Sequence, residues 1–396
     1  MAGWQDKKNQ NLKMKVMEMV KIAIIGTGNM GSGYARMILN EEVTGAQLVA
    51  ITRIRPERLK MLPGITEKNI PIYQTDEELF AAIRNGELEA DAVVIATPHY
   101  AHEKQMKEAL ELGLHVLCDK PSGVYSAQAR RMNEAAQESD RVFAMMFNQR
   151  TNPVYRKMKE IVEQKVYGEL KRVNWIITDW YRPDIYYDSV AWRGTWAGDG
   201  GGLLLNQCPH NLDLMQWICG MPKSVQAFCK EGKYHDIQVE DELTAYLEFE
   251  NNVTGVFYST TGEASGINRL EISLDNALLV CDGETLRVCE LGFDEYEYRK
   301  TATDLYAKMK GQWKDVECEG VDTKHQGVFQ NFLNCVEGKE ELFVEGQEGL
   351  KSLLIANAIY LSSWQRRMVD LPESADEEEA FETAFAQEME KKLAQN

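Results

Sequence analysis

The sequence predicts an α/β chain of two domains: a doubly wound parallel sheet, then an α+β domain on a large open, mainly antiparallel sheet. Three observations carry this expectation. Strand and helix patterns alternate from residue 20 to about 148. Beyond that point β-rich runs follow one another with little helix between them. A glycine-rich turn, "GTGNMG", joins the first apolar run to the first helical pattern.

"VKIAIIG" is a β-branched run and "GYARMILN" continues as a helix. "AQLVAI" is a second buried strand, followed by a helix near Pro56 to Met61. "TDEELFAAIRNG" has a capping Thr75 or Asp76, acids in its first turn and a closing Gly86, all helix signals. "ADAVVIAT" is a third strand, and Met106, Ala109, Leu110 and Gly113 recur at helix spacing in the next segment. "LHVLCDKP" and "RVFAMMFN" close the alternation, whose βαβα order implies a parallel sheet covered on both faces. A helix from Tyr155 to Val166 precedes the β-rich runs "LKRVNWIITDWY", "SVQAFCKEG", "DELTAYLEF", "VTGVFYSTT", "RLEISLDNALLVCD" and "ETLRVCEL". A single early helix, "LLLNQCPHNLDLMQWICG", interrupts them. The expected units are a flexible extension at 1–19, a dinucleotide-binding domain at 20–148 and a substrate domain at 149–345. Two late helices, "HQGVFQNFLNCVEG" and one at 346–372, pack back on the first domain, and 373–396 is an acidic tail, a solvated helix or a disordered end.

Composition excludes several classes. A net charge of −18 argues against binding a phosphate backbone, which needs basic patches. No apolar run reaches the ~20 residues that span a bilayer, and Met1 to Met19 lacks the apolar stretch of a signal peptide. The eight cysteines are scattered without a CxxC pair, so free thiols in a reducing cytoplasm are expected and no metal site.

The chemistry starts at Gly26, Thr27, Gly28, Asn29, Met30 and Gly31. Between a strand and a helix, one glycine makes the tight turn, one lets backbone N–H groups approach a pyrophosphate, and one lets helix and strand pack closely. The helix N-terminus adds its positive dipole end. This is the Rossmann pattern, and the cofactor is NADP or NAD. The second strand ends in Thr52-Arg53-Ile54-Arg55 without an acid to take a ribose hydroxyl. Arg53 or Arg55 would pair a 2′-phosphate, which favours NADP.

Taken in order, "GTGNMG", "ATPHYAH", "CDKPSG", "GDGGGLLLNQCPHNLDLMQW" and "EGLKSLLIANAIYLSSW" resemble the glucose–fructose oxidoreductase / inositol dehydrogenase (Gfo/Idh/MocA) family over about residues 20 to 370. The resemblance implies an open sheet that covers the nicotinamide and through which dimers or tetramers form. It places Lys120 at the family's active-site lysine, with Asp119 replacing the usual glutamate before it. Thr97, Pro98 and His102 match the stretch that lines the cofactor. His210 matches the catalytic histidine, Asp213 the acid one turn later, and Asn206 a position where many members carry aspartate.

Hydride transfer from a secondary alcohol needs a group that accepts the hydroxyl proton, a task suited to imidazole. An ammonium such as that of Lys120 would steady the developing alkoxide. Asn206 and His210, four apart, are expected to share a helix face, with Asp213 orienting the ring. Sugar contacts are sought in the aromatic-rich loop and the domain junction: Asn148, Arg150, Asp179, Tyr181, Trp192, Arg193 and, from a late helix, His325. The other histidines, His99, His115 and His235, are read as structural. The expected activity is hydride transfer between a ring hydroxyl of a sugar, glycoside or cyclitol and NAD(P). The alternatives are a redox-assisted glycosidase that recycles its cofactor and a non-catalytic nucleotide and sugar sensor.

Overall fold

The computed structural model describes residues 19–394, so the extension expected at 1–19 lies, but for Met19, outside the described residues. The first sheet holds β1 (Val20–Ile25), β2 (Ala46–Thr52), β3 (Ile72–Tyr73), β4 (Ala92–Ile95), β5 (His115–Cys118) and β6 (Phe143–Met145). Their order is β3-β2-β1-β4-β5-β6 and every pairing is parallel. β1 is buried along nearly its whole length, as expected where helices cover both faces. Strand order reverses between β1 and β4, and the crevice beyond their carboxyl ends is where a doubly wound sheet binds its ligand. Gly26 and Thr97 both stand there.

The second sheet contains β7 (Leu170–Ile177), β8 (Ser224–Glu231), β9 (Glu240–Glu248), β10 (Thr254–Thr260), β11 (Asn268–Leu274), β12 (Ala277–Cys281), β13 (Leu286–Glu290), β14 (Gln312–Asp315) and β15 (Val369–Asp370). Its order is β14-β13-β12-β11-β7-β10-β9-β8-β15, antiparallel except for β7 beside β10. The fold class expected from the sequence is the one observed. The run "RLEISLDNALLVCD" divides into β11 and β12 at Asp275-Asn276, while the short strands β3, β14 and β15 carry too few apolar residues to signal themselves. One face of this sheet is buried in the second core. The other exposes Ile176, Phe228, Tyr246 and Val256. Among the described residues, no helix is long and apolar enough to cross a membrane.

Two helices depart from expectation. The early one is two pieces, Leu203–Asn206 and Pro209–Cys219. Pro209 has no N–H to continue the first piece, and its fixed φ starts the second. Asn206 and His210 therefore do not share one unbroken helical face. The helix Gly349–Gln365 packs chiefly on β8 and on Pro209–Cys219, and only one flank meets the first domain's helix Ser126–Gln137. There the Asn357 side chain accepts from Ser126 N at 2.8 Å and donates to Val124 O at 3.0 Å. It bridges the two layers, so the return to the first domain expected from the sequence is only part of its packing. The other late helix, Lys324–Val336, packs on the first domain as expected, its Val328, Phe329, Phe332 and Leu333 lying in the first core.

The acidic tail is the helical alternative, solvated on one side but seated on the other. It forms the helix Ala375–Ala394, whose Phe381, Phe385 and Met389 recur every four residues on one buried face. Phe385 meets Tyr125 edge-on at 5.7 Å and lies 5.5 Å from Trp364, while Arg130 pairs with Glu378 and, at 2.9 Å, with Glu382. Phe385→Ala is therefore expected to lower unfolding free energy by about 3 kcal/mol in a denaturant titration. Exposed Glu379→Ala should change it by less than about 0.5 kcal/mol; equal, small effects would show that the helix is not part of the cooperative fold.

Candidate active site

The glycine turn separates into three roles. Gly26 has φ +88°, and a Cβ there would stand 2.6 Å from the Ala96 carbonyl oxygen. A Cβ on Gly31 would come within 1.9 Å of the Gly26 carbonyl oxygen, so this glycine lets helix and strand touch. A Cβ on Gly28 meets no protein atom within 4 Å. The fold does not need glycine at that point, whereas a ligand approaching the backbone would. Gly28 also caps the helix Asn29–Leu39 without a side chain, leaving its first N–H groups for an anion. The turn thus fits a pyrophosphate.

Thr27 is buried and ties the turn to β2: its Oγ1 donates to Thr52 O at 2.7 Å and to Arg53 O at 2.9 Å, while Gly26 N donates to Thr52 Oγ1 at 2.9 Å. Its hydroxyl shapes the cradle. Arg53 and Arg55 are exposed at the end of β2, Met30 and Pro98 are exposed, and Asn29 accepts from Arg58, a residue the sequence reading passed over. Thr97 Oγ1 donates to Gln105 Oε1 at 2.6 Å. His102, expected against the cofactor, is fully buried with Nδ1 2.8 Å from Pro121 O and Nε2 2.9 Å from Thr97 O. With both nitrogens engaged by carbonyls it is a strut between the "ATP" and "DKP" turns.

Lys120 follows β5. Its backbone N–H donates to Asp119 Oδ1 at 2.9 Å, and its Nζ donates to the main-chain oxygen of Asn206 at 2.7 Å. Burial lowers the Lys120 pKa, and Asp119 resists the fall. The Asn206 side chain turns back on its own loop, donating to Gly202 O at 3.1 Å and Gly201 O at 3.3 Å. His210 is 9% exposed, its ring edge-on to Phe147 at 6.2 Å and its Nδ1 without a partner. Burial, then the charges of Lys120 and His325, push its pKa well below the usual imidazole value. His325 stands in the same neighbourhood, 6.2 Å from the Tyr34 ring and under the influence of Asp119 and Lys120.

Arg150 and Asp213, expected to meet substrate, meet each other. Arg150 Nε donates to Asp213 Oδ2 at 2.8 Å and Nη2 to Oδ1 at 2.5 Å, with a further bond to Glu348 Oε2 at 3.0 Å. At 3% and 1% exposure they form a buried clamp, and a buried charge needs this pairing. Asp213 consequently does not orient His210. Tyr181 and Trp192 are exposed; burial raises the Asp179 carboxyl pKa, and Asn148 Oδ1 is buried without a partner. Trp196, from the same aromatic loop, is instead a core residue against Tyr360 and Trp364.

Sequence reasoning missed three groups. Asp199 has one carboxyl oxygen on Gly194 N at 2.6 Å and the other buried without a partner. Burial pushes its pKa up to about 6, against the Gly194 N–H, Arg193 and the Asn206 amide. His99 places Nδ1 2.9 Å from Asp199 O, and burial followed by the charges of His102 and Lys120 holds it at about 3. Glu240 accepts from Gly202 N at 3.0 Å, Leu204 N at 2.8 Å and Tyr360 Oη at 2.8 Å, so it fixes the loop that carries Asn206. Only "GDGGG" was a signal, and it was read for its glycines.

A sequence model described as the oxidoreductase family with an NAD-binding Rossmann fold matches residues 20–147, and one of the GFO/IDH/MocA C-terminal domain matches residues 155–280. The chain belongs to the GFO/IDH/MocA oxidoreductase family. As a member it is an NAD-binding oxidoreductase. It is 26% identical to D-glucoside 3-dehydrogenase of Escherichia coli (strain K12) over 375 residues, covering 89% of this chain and 97% of the relative. It is 23% identical to myo-inositol 2-dehydrogenase of Thermotoga maritima, covering 89% and 99%. Among solved structures, the Bordetella pertussis WlbA dehydrogenase in complex with NADH and UDP-GlcNAcA superposes with TM-score 0.73 at 25% identity, covering 90% of this chain and all of that one.

Because Gly28 has open space, Gly28→Ala should keep the wild-type melting temperature within about 2 °C. The same variant should weaken binding of reduced nicotinamide dinucleotide at least about tenfold, measured by cofactor fluorescence. Gly31→Ala should instead melt well below the wild type.

Proposed function

We propose that this family member transfers hydride between a ring hydroxyl of a sugar, glycoside or cyclitol and a nicotinamide dinucleotide, with His210 as general acid/base and Lys120 holding the hydroxyl oxygen. The observation that carries the reading is the hydrogen bond from Lys120 Nζ to Asn206 O at 2.7 Å, which brings the ammonium from the carboxyl end of the parallel sheet to the segment just before His210. The full-length relatives named for glucoside and inositol dehydrogenation support the substrate class.

A bound nicotinamide supplies the hydride acceptor. After its bond to Asn206 O, the Lys120 ammonium keeps two N–H donors, which suits it to grip an alkoxide as it forms. His210 takes the hydroxyl proton. Since burial and Lys120 hold its pKa well below 6.5, the ring is already neutral, the form a base needs. Its basic form persists as pH falls, so His210 should impose no loss of rate between pH 8 and 6.5.

The cofactor preference proposed is NADP, supported by two exposed arginines and no acid at the end of β2. The expected result is a lower KM for NADP+ than for NAD+, reversed in the double variant Arg53→Ala, Arg55→Ala. A lower KM for NAD+ in the unmodified enzyme refutes the preference.

The main test follows absorbance of the reduced nicotinamide with a panel of sugars and cyclitols. Lys120→Ala and His210→Ala should each lower kcat by roughly two orders of magnitude or more. Near-normal turnover in either variant removes that residue from the mechanism, and silence of the whole panel refutes the reading.

A further inference from the structure

Between β7 and the helical break lie two arginines that the proton chemistry leaves unused. Both sit on Tyr186. The Arg182 Cζ is 5.1 Å from the ring centroid and the Arg193 Cζ 4.3 Å, and each also lies over a tryptophan, Trp180 at 5.5 Å and Trp192 at 5.3 Å respectively. The Tyr186 hydroxyl accepts from Gln207 Nε2 at 3.1 Å. Gln207 follows Asn206, whose carbonyl holds Lys120, so the arginine pair borders the reacting centre. The charge of Arg182 is felt at Lys120 and that of Arg193 at His99.

Their donors are largely unspent. Arg182 uses Nη1 on Tyr181 O at 3.0 Å, and Arg193 uses Nη1 on Tyr186 O at 3.2 Å and Ser189 Oγ at 3.0 Å. The Nε of each is buried without a partner. Among the described residues, neither guanidinium has a carboxylate within 4 Å; Asp179 and Asp199 are near enough to feel them but do not pair. This is notable in a chain with 62 acids against 44 bases, where carboxylates are plentiful. Stacking occupies the faces of a guanidinium and leaves the donors of its edge, the fork that binds carboxylate or phosphate, to other partners. Two adjacent cations with empty edges repel each other until an anion arrives.

Building on the proposed sugar oxidoreduction, we propose that the substrate is an anionic sugar, and that Arg182 and Arg193 together bind a carboxylate or phosphate group carried on or beside the reacting ring. The proposal extends the substrate reading from polyhydroxyl recognition to charge recognition.

The experiment is isothermal titration of the full chain with glucose, glucuronate and glucose 6-phosphate in turn, joined to cofactor reduction with the same three sugars. At least one anion is expected to bind about tenfold or more tightly than glucose, with an advantage that shrinks as salt is raised, as screening requires. Which of the two does so identifies the group as carboxylate or phosphate. Arg182→Gln and Arg193→Gln should each erase most of that advantage; should both fail to fold, the wild-type ratio alone decides. Glucose binding as well as both anions, or no binding of either anion, overturns the proposal. Reduction of cofactor by glucose without preference for the anions sinks this inference and spares the oxidoreductase reading. Tight anion binding with no cofactor reduction by any sugar does the reverse.

Discussion

A buried ammonium must find oxygen, and the hydrogen bond from Lys120 Nζ to Asn206 O organises this molecule. Lys120 comes from the end of the parallel sheet and Asn206 from the short helix Leu203–Asn206 that precedes His210, so the bond ties the two segments together. A main-chain carbonyl is available there because Pro209 breaks the helix three residues later, leaving carbonyls of the first piece without intrahelical donors. The break that spoils a simple helical face is thus what creates the acceptor. Glu240 stiffens the same loop from behind, its carboxyl raised to about 7 by burial against the opposing pull of the N–H groups of Leu204 and Gly202 and the Tyr360 hydroxyl. The Arg150–Asp213–Glu348 cluster then pins the helix that carries His210 to the domain junction.

What the sequence made legible was local. The strand–glycine–helix unit, the alternation behind the parallel sheet and the β-rich second half all follow from periodicity and turn chemistry, which act within a dozen residues. The roles proposed for Lys120 and His210 came from motif order, and their shared neighbourhood is what supports them. What could not be read were partners far apart in sequence. Asp213 was placed beside His210 by helical spacing, but a guanidinium 63 residues earlier claims both its oxygens. His102 matched a cofactor-lining stretch, yet two carbonyls hold it inside. Asp199, hidden among glycines, gave no period at all, and only burial gives it significance.

The tail shows the same limit from another side. Its acids dominate the composition, and composition suggested solvation. Three apolar residues spaced by four suffice to seat it, because burial of Phe381, Phe385 and Met389 outweighs the cost of ordering a surface helix whose opposite face stays wet. Trp196 and Trp364 extend this satellite core, which explains why the aromatic loop is not wholly a substrate platform: part of its aromatic content packs inward.

Charge inside the cleft follows a consistent logic. Lys120 and His210 each gain from the other being neutral, and burial acts on both in that direction. On the proposed chemistry, a proton arriving at His210 therefore creates an imidazolium beside an ammonium, a state the site disfavours, and the proton is passed on rather than kept. An alkoxide at Lys120 would make the opposite demand, stabilising the ammonium while it lasts. The nearby Asp119 moderates the repulsion without quenching it, since it is also engaged by the Lys120 backbone. A cleft so biased toward uncompensated positive charge would cost stability in the free protein, and an incoming negative group would relieve that cost.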